Sequence, residues 1–270
     1  MSTLNSHVLR LKDKISLSLS QKTEGGPGDS SPLQKGLFMF IGDRSVCGEG
    51  VGFGAPALDC PEGVFFSTYA EIQERSGQLV KSFSINAFQR KTWRDKFPVD
   101  TGFYLAVERR LVKRYREQER YRNLLSYLIK LTSILGFQLS YQEVQSKGSV
   151  DVSYQLYGNR LMVGVDTSGL ADRKYRNLLI FNEQSAAFDL YMDGFSKVKG
   201  NNIGAWKEIL SAKACLTNQD DDVTFCIRNI PSARLFCGRE LLRPRLDWAG
   251  FCYMVPSSAK QFEYDVEIIQ

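Results

Sequence analysis

The stretch "SVDVSYQLYGNRLMVGVDTS", residues 149–168, decides the fold class. In its first half Val150, Val152, Tyr154 and Leu156 alternate with Asp151, Ser153 and Gln155. A period of two yields one apolar and one polar face only if the chain is extended. "GNR" breaks the run and "LMVGVDTS" resumes it, so the two halves read as antiparallel strands joined by a tight turn. With "FQLSYQEV", residues 137–144, ahead of them, the three segments read as a meander.

The same texture extends in both directions. "VLRLKDKISLSLS", from Val8, reads as two short strands, and "VFFSTYAEIQ" and "LVKSFSINAFQR" read as a hairpin about "ERSGQ". In the last third "LLIFNEQ", "VTFCIRN", "ARLFCG", "GFCYMV" and "FEYDVEI" are further strands, the last setting Phe262, Tyr264, Val266 and Ile268 on one face. Many short strands separated by turns predict a mainly β protein, an antiparallel β-sandwich or a larger supersandwich.

One segment departs from this pattern. Between residues 103 and 135 the apolar positions recur at helical spacing, through Tyr104, Val107, Leu111 and Tyr115 and then through Leu124, Leu128, Leu131 and Leu135. The two stripes lie on different sides of one continuous helix, which predicts a helical insertion bent near Arg122, or two helices. The Gly, Pro and Ser content of "QKTEGGPGDSSPLQKG" predicts a flexible loop, so residues 1–35 are expected to hold strands and that loop. Residues 36–270 are then a single β-sandwich domain carrying the insertion.

Composition excludes several chemistries. His7 is the only histidine, near the chain start, so hydrolytic triads and histidine-based metal sites are not expected. Six cysteines, no two of them in a Cys-x-x-Cys pair, read as reduced, buried small residues and give no metal site. No apolar run is long enough to cross a bilayer as a helix, so the expectation is a cytoplasmic protein with no membrane partner and no cofactor. A net charge of +5 is too small to dictate a partner.

Four regions concentrate candidate chemistry. "VCGEGVGFGA", residues 46–55, has glycine at every second position from 48 to 54, with Glu49 among them. As a phosphate loop it lacks a following helix, since Pro56 and Pro61 leave no room for one. Read as extended, it presents one bare face, against which another part of the protein is expected before a ligand. "FCGRELLRPRLDWAGF" offers Arg239, Arg243, Arg245 and Trp248 as ligand-binding groups and Asp247 as an acid. Guanidinium forks with an indole suit a sugar or other polar small molecule, and equally an inter-strand ion-pair ladder. "NEQSAAFDLYMDG" brings Asn182, Glu183, Gln184, Asp189 and Asp193.

If the protein is an enzyme, its acid and base come from Glu183, Asp193, Asp247 and Glu49, because histidine-free glycosidic chemistry needs two facing carboxyl groups. A cleft joining Trp248, Asp247 and the glycine strand would support that reading, and its absence would remove it. "FQRKTWRDKFPVD" sets Trp93 among basic residues, and the helical segment carries Arg109, Arg110, Lys113, Arg116 and Arg120 on one face. These support the rival function, an interaction or nucleic-acid-associated module. The expected function is carbohydrate-type binding or processing without histidine or metal chemistry. The sequence does not set the oligomeric state.

Overall fold

The computed structural model describes residues 7–12, 14–19, 34–61, 63–67, 69–75, 77–85, 88–91, 140–143, 147–171, 175–242 and 246–270. The predicted helical insertion at 103–135 lies outside these residues, as do Trp93, Arg243 and Arg245. What is described is almost wholly strand.

The chain runs through β1 (His7–Lys12), β2 (Ile15–Leu19), β3 (Phe38–Ile41), β4 (Arg44–Ser45), β5 (Gly52–Cys60), β6 (Gly63–Phe66) and β7 (Tyr69–Arg75). It continues with β8 (Gln78–Ser84), β9 (Phe88–Lys91), β10 (Ser140–Glu143), β11 (Ser149–Tyr157), β12 (Arg160–Asp166), β13 (Asn177–Gln184) and β14 (Leu190–Asp193). After β15 (Lys197–Lys199) and a 3-10 turn at Gly200–Asn202 come β16 (Lys207–Glu208), β17 (Lys213–Asn218) and β18 (Val223–Arg228). The chain finishes with β19 (Arg234–Leu242), β20 (Leu246–Pro256) and β21 (Gln261–Ile269).

Two large antiparallel sheets form the body. One has nine strands in the order β15-β14-β17-β18-β21-β12-β11-β8-β7, and the other six, β16-β19-β20-β13-β5-β6. A four-stranded sheet, β1 to β4 in order, adds Ile15, Leu17, Leu19 and Met39 to the same core. The facing residues of the large sheets interdigitate. Phe225 meets Phe53, Phe188 and Phe251 edge-on, and Tyr253 packs on Phe262 and Tyr264. Each large side chain so buried contributes about 1.5–3 kcal/mol, and the alternation read in the sequence is what aims them inward.

Three polar side chains of this core are tied across the sheets. The Tyr264 hydroxyl donates to Asn182 Oδ1 at 2.7 Å, and the Tyr154 hydroxyl donates to the Phe53 carbonyl at 3.0 Å. Asn182 Oδ1 also accepts the Gly54 N–H at 3.2 Å, beside the bulge where β13 shifts register on β5. The network therefore pins a local irregularity that no ladder bond would hold.

The hairpin that opened the sequence reading is present, with Tyr157 opposite Arg160 across Gly158 and Asn159. The predicted third member of the meander is not its neighbour. Among the described residues β10 pairs only with β9, in a separate two-stranded sheet, while β11 takes β8 and β12 takes β21. The expected hairpin about "ERSGQ" is present as β7 and β8, but its first segment divides, β6 joining the six-stranded sheet while β7 and β8 join the nine-stranded one. Cysteine usage differs as well, because Cys215 and Cys226, directly opposite on β17 and β18, form a disulfide. Cys47, Cys60, Cys237 and Cys252 are buried.

Candidate functional site

The glycine-rich stretch meets protein at each of its four glycines, but from four directions. The strand begins only at Gly52, with a turn before it, so residues 47–54 do not present the single bare face expected of a continuous strand. A Cβ at Gly48 would strike the Asp247 carbonyl, at Gly50 the Cys47, Gln184 and Glu183 carbonyls, at Gly52 the Leu37 carbonyl, and at Gly54 the Tyr154 hydroxyl.

A second pattern crosses the outer face of the six-stranded sheet. Gly238, Gly250, Glu183 and Gly52 stand side by side on four adjacent strands, forming a shallow trough. Trp206 lies over Gly238, where an added Cβ would come within 3.1 Å of its ring. Its indole stacks on Trp248 at 4.9 Å and leans on Phe181 at 5.8 Å. Trp248 is thus buried under Trp206 and is not the sugar platform it was expected to be.

Glu183 occupies the other part of the trough and is 6% exposed. Burial pushes its carboxyl up to about 8, against the opposing pull of the Val51 N–H and the nearby Lys35 ammonium. It is a buried acid that keeps its proton at neutral pH.

The remaining acids hold turns. Asp193 accepts the Tyr191 hydroxyl at 2.7 Å and the Phe195 and Ser196 N–H groups at 2.8 and 2.6 Å. Its partial burial opposes ionisation, but these hydrogen bonds outweigh it and hold the carboxyl below its usual range. Asp247 accepts the Ala186 N–H at 2.7 Å and the Ser185 hydroxyl at 3.2 Å, fixing the β13–β14 connection. Glu49 meets this neighbourhood through its backbone, donating to the Asp247 carbonyl at 3.1 Å. Trp248 lies on the outer face against Trp206, whereas Asp247 turns toward the β13–β14 connection.

A pocket does form at one end of the sandwich, where the β13–β14 connection, the β17–β18 turn, β15 and β19 meet. It holds about 130 Å³ and is lined by Asp189, Lys199, Gln219, Asp220 and Arg239, with Ala186 and Ala187 beside them. Arg239 is built in. Its Nε donates to the Ala186 carbonyl at 2.9 Å and its Nη1 to Asn201 Oδ1 at 3.0 Å. Lys199 Nζ donates to Gln219 Oε1 at 2.7 Å. The carboxylates of Asp189 and Asp220 accept no hydrogen bond and form no ion pair among the described residues.

The β17–β18 turn that carries Gln219 and Asp220 is itself held. Buried Asn218 accepts the Asp220 and Asp221 N–H groups, and Asp221 is ion-paired to Arg44 from the N-terminal sheet. Of the sequence-predicted ligand groups, Arg239 alone among the described residues lines the pocket. Asp189 falls in a segment already singled out for its acids, whereas Lys199, Gln219 and Asp220 converge only through the sheet order.

No family model and no curated protein matches this chain. A solved structure, that of a galactose mutarotase-like protein from Lactobacillus casei ATCC 334, is similar over 98% of this chain and 99% of that one. The sequence identity is 9% and the TM-score 0.37. Likeness of that degree carries no site residue from one chain to the other. Among the described residues no helix is long and apolar enough to cross a membrane, and no group of three or more His, Cys, Asp or Glu side chains is placed to hold a metal ion.

Proposed function

We propose that the protein binds a small, neutral, hydroxyl-rich molecule of the saccharide class in the Asp189–Asp220–Arg239 pocket, without catalysing a reaction on it. The reading rests on the two unpaired carboxylates. Each is an acceptor with room for two hydroxyl donors, and Lys199, the Gln219 amide and Arg239 supply donors around them. A sugar ring presents donors and acceptors in just such alternation. Two cationic and two anionic side chains leave the pocket without net charge, which favours a neutral ligand over a phosphate or polyanion. Its 130 Å³ is below the roughly 300–1,000 Å³ of sites that enclose drug-sized ligands, so one ring or one chain end is the expected occupant.

Isothermal titration of a monosaccharide and disaccharide panel tests this. Asp189→Ala and Asp220→Ala are expected to weaken the best binder at least about ten-fold, the loss of one or two charge-assisted hydrogen bonds, with melting temperature unchanged. A wild-type protein that binds none of the panel, or variants that bind as wild type does, would overturn the reading.

A further inference from the structure

β7 is the longest edge strand among the described residues, seven residues at the end of the nine-stranded sheet. Its backbone is paired with β8 along one side. The other side, to which Ala70, Ile72 and Glu74 direct their backbone groups, has no backbone partner among the described residues. Its outward-facing side chains are exposed, Tyr69 at 54% and the Arg75 side chain at 53%. A long open row of N–H and C=O groups is a template for another strand.

We propose that this edge pairs antiparallel with β7 of a second copy of the chain, joining the two nine-stranded sheets across a two-fold axis. The sequence "YAEIQER" is self-complementary in one register. With Gln73 opposite its own counterpart, Glu71 faces the second copy's Arg75 and Arg75 faces the second copy's Glu71, an ion pair on each side of the axis. The two Gln73 amides meet at the centre, where each can donate to the other. On the core-facing side Ile72 lies along the aliphatic stem of the second copy's Glu74.

The side chains are already ordered for this. Arg75 donates to Gln73 Oε1 at 3.1 and 2.8 Å and to Asp151 at 3.3 Å, and the Tyr69 hydroxyl donates to Glu71 at 2.9 Å. A guanidinium has five N–H donors, so these contacts leave capacity for a carboxylate from the second copy. An unrelated peptide could satisfy the backbone row but not both ion pairs, which is why the second copy is the partner that fits. Seven residues bury less area than a standard stable interface, so the dimer belongs to the weak, concentration-dependent class.

Sedimentation velocity of the full chain over a dilution series is the test. Wild type is expected to shift from monomer to dimer as concentration rises. Glu71→Arg and Arg75→Glu alone each place like charges face to face and are expected to raise the dissociation constant at least about ten-fold. The double variant Glu71→Arg with Arg75→Glu restores both pairs in reversed polarity and is expected to recover wild-type association, which a folding defect would not do. A wild type that stays monomeric at every concentration overturns the proposal. So does a dimer indifferent to the single swaps, which would place the interface elsewhere.

Discussion

At the scale of single residues, Glu183 is the most unusual group in the described structure. Its carboxyl is raised from the ordinary value near 4.5 to about 8 by burial. Between those two pH values the folded protein keeps a proton that the unfolded chain has lost, so this group's contribution to stability is fully present below about pH 4.5, falls as pH rises to 8 and then levels off. The shift corresponds to a loss on the order of 5 kcal/mol over that interval. Glu183→Gln keeps the shape and removes the titration. Urea melts at pH 5 and pH 8.5 are expected to show a clearly smaller pH dependence in the variant, with the variant the more stable protein at pH 8.5. Equal slopes for the two proteins would mean that Glu183 is ionised in the fold.

The sequence singles this residue out as an acid but not as a buried one, because the glycine row that lets the sheet be covered there is spread over four strands far apart in the chain. Asp193 and Asp247 illustrate the opposite case. Their residue type suggested chemistry, but each sits at a strand end where a short carboxylate satisfies exposed N–H groups.

At the scale of elements, period-two alternation found β11, β12 and β21 because each buries one face, whereas β18 and β20 read as apolar runs because most of their residues are buried on both faces. It missed β17, whose "KACLTN" mixes small and polar residues, although Ala214, Leu216 and Asn218 do point inward. Missing β17 also hid the disulfide. With both strands in view, counting back from the Asn218–Val223 turn places Cys215 opposite Cys226. Closing a loop of 11 residues stabilises the fold by about 2–3 kcal/mol in the chain-entropy account. Because the Cys215–Cys226 disulfide is the one the structure forms among the described residues and the other four cysteines are buried, reductant should act through this pair. The urea midpoint of wild type is therefore expected to fall on adding a thiol reductant, whereas a Cys215→Ala/Cys226→Ala protein, already lower, should not respond. A drop of similar size in the double variant would place the reductant's effect elsewhere.

At the scale of the whole molecule, strand existence was legible and strand neighbourhood was not. β10 carries a good strand pattern and still leaves the meander, and β6 and β7 part into different sheets across Ser67, because pairing depends on which apolar faces can be buried together. That choice is non-local, as with the facing of β5 on β11 through Gly54. There the two large sheets come so close that a Cβ on Gly54 would lie 2.9 Å from the Tyr154 hydroxyl and 3.2 Å from Val152, at a φ of +76° that L-residues rarely adopt. Gly77, in the β7–β8 turn, has nearly the same φ, +77°, and nothing within 4 Å of its Cβ position. Gly77→Ala therefore isolates the backbone strain, about 1–2 kcal/mol. Gly54→Ala adds overpacking between sheets, about 1–3 kcal/mol more, and disturbs the buried Tyr154 hydrogen bond. Paired urea melts should find Gly54→Ala the more destabilised of the two by at least about 1 kcal/mol. Equal losses would show that the sheets can separate at that point without cost, and that φ alone selects glycine there.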